Sequence, residues 1–156
     1  MSPKIASYIS TFFGIGLVKK FPGSVASFAA AFIWYIVMFF SDISTVLILL
    51  LNIIIFLIAY FSIVEYQKTT SKTDPQEIVI DEVSGMSISL IGGALYFSNS
   101  YFLISFLIFR ILDFFKPSII YRFEIDKKDS SILMDDVLSG LITLLIMISL
   151  GSSGIV

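Results

Sequence analysis

The amino-acid sequence predicts an all-α membrane protein, a polytopic helical bundle with about four to five membrane-embedded helices and a short N-terminal amphipathic helix. Of the 156 residues, 57% are hydrophobic and only 14% are charged. Soluble domains average about 25% charged residues, so this composition indicates an integral membrane protein. The apolar residues form long runs without the alternation typical of strands. The length of the chain predicts a single domain over residues 1–156.

The first apolar segments are separated by a glycine-bearing loop and a short polar turn. Residues 3–13 carry their apolar side chains on one helical stripe, with Lys4 and Ser7 off it, which predicts a short helix in the membrane interface. The next helix is expected at residues 25–40. The following one is expected at residues 43–64, which is long enough to cross a hydrocarbon core of about 30 Å.

Three further helices are predicted in the second half of the chain. Asp74 and Pro75 are typical of the N-cap and first residue of a helix, which we expect to cover residues 75–97. The next helix is expected at residues 100–116 and, after a charged loop, the last at residues 135–150.

Lysine and arginine residues concentrate in alternate loops of this arrangement. Lys19 and Lys20 precede the first apolar helix, Lys68 and Lys72 follow the second, and further basic residues lie before the last helix. The segments S-D-I-S and S-N-S contain neither lysine nor arginine. The positive-inside rule therefore places the basic loops and the N-terminus in the cytoplasm, with the C-terminus outside if there are about five crossings. We expect a protein of the cytoplasmic membrane whose polar motifs face the cytoplasm.

The composition excludes several kinds of chemistry. The chain has no cysteine and no histidine, which removes disulfides, thiolate nucleophiles, the phosphohistidine route and most transition-metal sites. The formal net charge is −2 and no basic face is present, so we expect no nucleic-acid partner.

Two pairs of acidic residues interrupt the apolar segments. Asp81 and Glu82 are expected about two turns into their helix, and Asp135 and Asp136 are expected to open the last one. A carboxylate near hydrocarbon is costly unless it is paired, metal-bound or hydrated, so these residues are candidates for binding metal or substrate. The alternatives are solvated acids favoured by a helix dipole for the first pair, and N-capping by one member of the second pair.

Cationic and glycine-bearing motifs add features suited to phosphate. Arg110 and Asp113 lie on one helix face, and Lys116 follows near the end of the helix. The Arg110–Asp113 pair is either part of a binding site or an ion pair whose two charges only neutralise each other. An arginine fork and a lysine point charge together suit phosphoryl oxygens. Gly23 and Ser24 lie at the start of an apolar helix, where exposed backbone N–H groups can bind an anion. The alternative interpretation is that these residues only cap the helix.

All these motifs fall at one membrane face, which indicates a divalent-metal site that handles a phosphorylated substrate at the bilayer surface. An ion-coupled transporter that uses the acids as a relay is the alternative. An alcohol-phosphate transferase of lipid synthesis is disfavoured, because its D-G-x-x-A-R and downstream aspartate spacing is missing.

Taken in order, the four motifs resemble those of the phosphatidylglycerophosphatase A family. The family pattern is G-x-G with P-G-T-x-G-S, then I-V-x-D-E-x-x-G, then F-R-x-x-D-x-x-K-P, then D-D-x-x-x-G. This chain has G-I-G at 14–16 and P-G-S-V-A-S at 22–27, I-V-I-D-E at 78–82 with Gly85, F-R at 109–110 with Asp113 and K-P at 116–117, and D-D at 135–136 with Gly140. It departs from the pattern at Ser24, where the family usually has Thr, and at Ala26, where it has Gly.

The resemblance implies Mg²⁺-dependent removal of the terminal phosphate from phosphatidylglycerophosphate, giving phosphatidylglycerol, by a bundle with one central helix. Its lipid substrate would be met in the bilayer. Without histidine or cysteine, carboxylate-held Mg²⁺ remains as the means of catalysis, by direct water attack or through an aspartyl-phosphate. We therefore assign residues to three roles: catalysis to Asp81, Glu82, Asp113 and Asp136, substrate binding to Gly23, Ser24, Arg110 and Lys116, and metal binding to Asp81, Glu82, Asp135 and Asp136.

Overall fold

A computed structural model of the chain describes residues 1–71, 75–115 and 131–156. Within these ranges it contains six α-helices and no strand, which confirms the predicted all-α class. Short 3-10 turns follow α1 and α4. The helices are α1 (Pro3–Ser10), α2 (Pro22–Phe40), α3 (Thr45–Thr70), α4 (Ile80–Ser89), α5 (Asn99–Phe115) and α6 (Ser131–Ser152).

Three of the described helices are long and apolar enough to cross a membrane: α2, α3 and, from Ile132 to Ser152, α6. Large apolar side chains such as Phe32, Ile54 and Leu145 are exposed on them. In a membrane protein such side chains face lipid. The described lengths of α4 and α5 are 10 and 17 residues, less than the roughly 20 residues that a spanning helix needs.

The N-terminal helix ends earlier than the predicted residue 13. Thr11 turns its hydroxyl back to donate to the carbonyl oxygen of Ser7 at 2.9 Å. Phe12 and Phe13 then adopt left-handed backbone conformations, with φ of 44° and 59°. The helix therefore ends at Ser10, and the chain turns sharply toward α2.

The bounds of the middle helices also differ from the prediction. The expected helix at 75–97 is replaced by α4 and a separate 3-10 turn, Ile91–Ala94. Pro75 lies before α4 and is not its first residue, while Asp74 lies outside the described residues. The segment before α4 is held in a loop because the Val79 N–H donates to the Ser10 carbonyl oxygen at 3.0 Å. That contact draws the segment onto the end of α1.

The last helix begins at Ser131, before the predicted residue 135. Asp135 and Asp136 consequently lie in its second turn and do not open it. N-capping, the alternative interpretation of this pair, is excluded for both residues. Both are buried against neighbouring helices, whereas a capping side chain is needed at the exposed end of a helix.

The short helix α4 is the centre of the bundle. Glu82 is its one residue that is not buried. It packs against α2, α3, α5 and α6. The acidic start of α4 is therefore enclosed by helices from both halves of the chain.

Two glycines allow α4 and α6 to touch through their backbones. A Cβ on Gly85 would overlap the carbonyl group of Asp136, and a Cβ on Gly140 would overlap that of Gly85. Small residues at a membrane helix interface permit this close approach. The contact brings the acidic turn of α6 beside that of α4.

We expect Gly85→Ala and Gly140→Ala each to destabilise the protein by about 1–3 kcal/mol, because the added methyl group must push two backbones apart. Thermal unfolding in detergent measures the loss. Gly93→Ala is the matched control, since its Cβ would meet the flexible side chain of Met38. Equal melting temperatures for all three variants would contradict the proposed backbone contact.

Candidate active site

Three carboxylates from two helices meet at one end of the bundle. Asp81 and Glu82 lie in the first turn of α4, and Asp136 lies in the second turn of α6. One oxygen atom from each residue lies within 4.8 Å of the others. Although adjacent helical residues diverge by about 100°, an oxygen atom of Asp81 and one of Glu82 reach the same point.

This carboxylate cluster, defined as Asp81, Glu82 and Asp136, is largely shielded from solvent. Asp81 and Asp136 are 6% and 5% exposed. Asp81 Oδ1 and Glu82 Oε2 are buried, and no hydrogen-bond donor in the described part of the chain reaches them. Burial raises the pKa of both the Asp81 and Glu82 carboxyls above their ordinary values. The interpretation of Asp81 as a solvated helix-end acid is therefore wrong.

Asp135, the fourth predicted metal ligand, is 3% exposed but is not a member of the carboxylate cluster. The structure thus brings together three of the four predicted ligands.

The cationic side of the site is formed by α5. The Arg110 Nη1 atom donates to Asp113 Oδ2, one turn along the same helix. The negative charge of Asp113 also acts on the Asp81 and Asp136 carboxyls. The charges of both Asp113 and Arg110 act on the Glu82 carboxyl as well, so the pair borders the carboxylate cluster. The two residues neutralise each other and still lie beside the candidate site.

The start of α2 closes another side of the cluster. A Cβ on Gly23 would overlap Oε1 of Glu82, so the glycine backbone lies directly against that carboxylate. The positive end of the α2 dipole favours a negative charge there. Ser24 is half-buried and lies within the first turn, after Pro22, and no side-chain capping hydrogen bond forms at this helix end. Ordinary capping, the alternative interpretation of Ser24, is therefore excluded, because the N-cap position falls at Phe21.

Lys116 lies outside the described residues, so the structure gives no position for this predicted phosphate ligand. A residue without a predicted role is instead found at the site. The buried Ser27 Oγ accepts a hydrogen bond from Arg110 Nη1 at 3.3 Å. The available signal was its place at the end of the P-G-S-V-A-S motif, one turn after Gly23.

Comparison with known proteins gives two matches. A family model described as phosphatidylglycerophosphatase A matches residues 8–150. A protein of Bacteroides thetaiotaomicron, provisionally named a phosphatidylinositol-3-phosphatase, is 31% identical over 138 residues, which are 85% of this chain and 84% of that relative. No solved structure matches the chain. Since the family match includes all four motifs and the carboxylate cluster, the chain belongs to the phosphatidylglycerophosphatase A family and is a lipid phosphatase, a phosphoric monoester hydrolase.

Proposed function

We propose that this protein hydrolyses the terminal phosphate of phosphatidylglycerophosphate to give phosphatidylglycerol, with Mg²⁺ as cofactor. The active site faces the cytoplasm from the cytoplasmic membrane. Family membership supports the lipid substrate, and the basic loops support the orientation. The single observation that carries the metal proposal is the meeting of three carboxylates from α4 and α6 within 4.8 Å.

The donor set fits Mg²⁺. Every ligand atom offered by Asp81, Glu82 and Asp136 is a carboxylate oxygen, and the chain has neither histidine nor cysteine to favour a softer metal. The buried oxygens of Asp81 and Glu82 that no described donor reaches are available to a cation. These three residues would hold the metal, with Asp135 as a fourth candidate. When bound, Mg²⁺ supplies charge neutralisation at the phosphate and lowers the pKa of water.

The substrate phosphate is bound by groups around the carboxylate cluster. The Arg110 guanidinium and the Lys116 ammonium offset the charge on the phosphoryl oxygens. The first N–H groups of α2, at Gly23 and Ser24, provide a further anion site beside Glu82. The lipid phosphate is thereby held between α2 and α5, with its acyl chains in the bilayer.

The cluster carboxylates and Asp113 orient the reacting groups. In direct hydrolysis, one of these carboxylates accepts a proton as water attacks phosphorus, and the bond from phosphorus to the glycerol oxygen breaks. In the covalent route an aspartate oxygen attacks phosphorus, the bond from phosphorus to the glycerol oxygen breaks and that oxygen takes up a proton. Water then hydrolyses the aspartyl-phosphate, which releases inorganic phosphate and restores the carboxylate. Both routes consume one water and yield inorganic phosphate and phosphatidylglycerol.

The transporter alternative is not favoured by the placement of the acids. Asp81 lies at the start of α4, Asp113 near the end of α5 and Asp136 near the start of α6, so all three lie at one end of the bundle. A relay needs titratable groups through the thickness of the membrane. Among the described residues, the middle of the long helix α3 carries no acid.

Purified protein should release inorganic phosphate from phosphatidylglycerophosphate in mixed micelles when Mg²⁺ is present. Chelation should abolish release and added Mg²⁺ should restore it, because the buried carboxylates need a cation. Phosphatidylinositol 3-phosphate, suggested by the name of the relative, is the comparison substrate. Full turnover after chelation would overturn the metal role, and preference for the inositol lipid would change the assigned substrate.

Asp81→Asn and Asp136→Asn should each lower kcat by about 100-fold or more, in line with the loss of one strong electrostatic contact to a transition state. The amide keeps the shape of the side chain but is a poor Mg²⁺ ligand, and its burial is less costly than that of a charge. We therefore expect unchanged or higher melting temperatures. Asp42→Asn, at an exposed loop residue, is the control for charge removal. Near-normal turnover in either cluster variant would disprove its role.

Gly23→Ala should lower kcat/KM by about tenfold or more, because its methyl group displaces the carboxylate of Glu82 from the cluster. The melting temperature should change little, since the end of the Glu82 side chain can move. Activity of the variant is compared with that of Gly93→Ala, where the displaced group is Met38. If both alanine variants retain full activity, the contact between α2 and Glu82 does not matter for catalysis.

A further inference from the structure

One hydroxyl group joins the start of α2 to the arginine of α5. Ser27 is completely buried, with 0% of its surface exposed. Its Oγ donates to the Gly23 carbonyl oxygen at 2.8 Å and accepts from Arg110 Nη1 at 3.3 Å. Ser27 therefore contacts two residues to which the proposed function assigns phosphate binding.

The direction of these hydrogen bonds is fixed by the chemistry of serine. A hydroxyl has one proton and two lone pairs, and here the proton is used by the Gly23 carbonyl group. Ser27 can then only present a lone pair to the guanidinium, which is a pure donor. The back-bond to Gly23 thus makes the hydroxyl an acceptor aimed at Arg110.

Arg110 Nη1 is consequently shared between two acceptors on different helices. Asp113 holds it from α5, and Ser27 holds it from α2. Asp113 alone, on the same helix, would leave the long arginine side chain free to move together with its partner. The second acceptor, Ser27, fixes the position of the guanidinium relative to the first turn of α2, where Gly23 lies against Glu82.

We propose that Ser27 is a positioning residue, whose hydroxyl directs the Arg110 guanidinium toward the substrate phosphate. The proposal rests on the proposed function, because it takes Arg110 as a phosphate ligand. The competing interpretation is a serine that only satisfies its own helix. Ser62 provides that case within the same chain, since it is also 0% exposed and its Oγ donates to the Ala59 carbonyl oxygen at 2.9 Å.

The test is a double-mutant cycle with Ser27→Ala, Arg110→Ala and the combined variant, with Ser62→Ala as the matched control. We measure kcat and KM for phosphatidylglycerophosphate, and the inhibition constant of inorganic phosphate. Losing a hydrogen bond to a charged group should raise KM and the inhibition constant by about tenfold in Ser27→Ala. In the Arg110→Ala background the same change should add less than about a twofold loss, because the two residues act together.

Ser62→Ala should leave both constants unchanged. Ser27→Cys, which is close to serine in size but a weaker acceptor, is made in parallel and should fall between wild type and Ser27→Ala. The phosphate inhibition constant of Ser27→Cys tests the positioning role even if Ser27→Ala does not fold.

The positioning role of Ser27 would be overturned if Ser27→Ala raised KM and the phosphate inhibition constant by the same factor in the wild type and in the Arg110→Ala variant. It would also be overturned by a lower melting temperature with an unchanged phosphate inhibition constant, which is the result expected of a purely structural serine. If wild-type protein releases no phosphate from the lipid, the proposed function fails instead. The two failures can be told apart, because the double-mutant cycle tests Ser27 only when the wild-type protein is active.

Discussion

The burial of several carboxylates at one end of an apolar bundle is the constraint on which the rest of the structure depends. Removing Asp81 and Asp136 from water costs free energy, and their mutual repulsion adds to it. The surrounding elements offset this cost in part, through the positive end of α2 and the arginine of α5. A divalent cation bound by the cluster would offset the remainder and would supply the chemistry of a phosphatase.

The helices are arranged so that this cluster can form. Gly85 and Gly140 let α4 and α6 approach through their backbones, which brings Asp136 beside the start of α4. Gly23 lets α2 approach Glu82 in the same way. Each of these glycines belongs to one of the four motifs. The motifs therefore combine a chemical group with the small residue that allows another helix to reach it.

Much of the fold could be predicted from the sequence because it follows from local properties. Long apolar runs predict membrane helices, and the structure has α2 and α3 where such runs occur, with ends shifted by a few residues. The helix predicted at residues 75–97 is found only as the shorter α4 and a separate 3-10 turn, because apolar periodicity along the chain contains no information about tertiary contacts. The hydrogen bond from Val79 to Ser10 keeps the preceding segment out of the helix. The type of metal ligand could also be predicted from the sequence, because a chain without histidine or cysteine leaves carboxylates as the available metal ligands.

The sequence by itself determined the all-α membrane class, the family and the residue types of the candidate site. Only the tertiary structure decided which carboxylates converge. The adjacent residues Asp81 and Glu82 both belong to the cluster, whereas of the adjacent residues Asp135 and Asp136 only Asp136 does. The tertiary structure also placed Ser27 against Arg110, a contact between residues 83 positions apart. Contacts of this kind depend on how helices pack, and helix packing is set by the whole bundle at once, whereas composition and periodicity report only on neighbours along the chain.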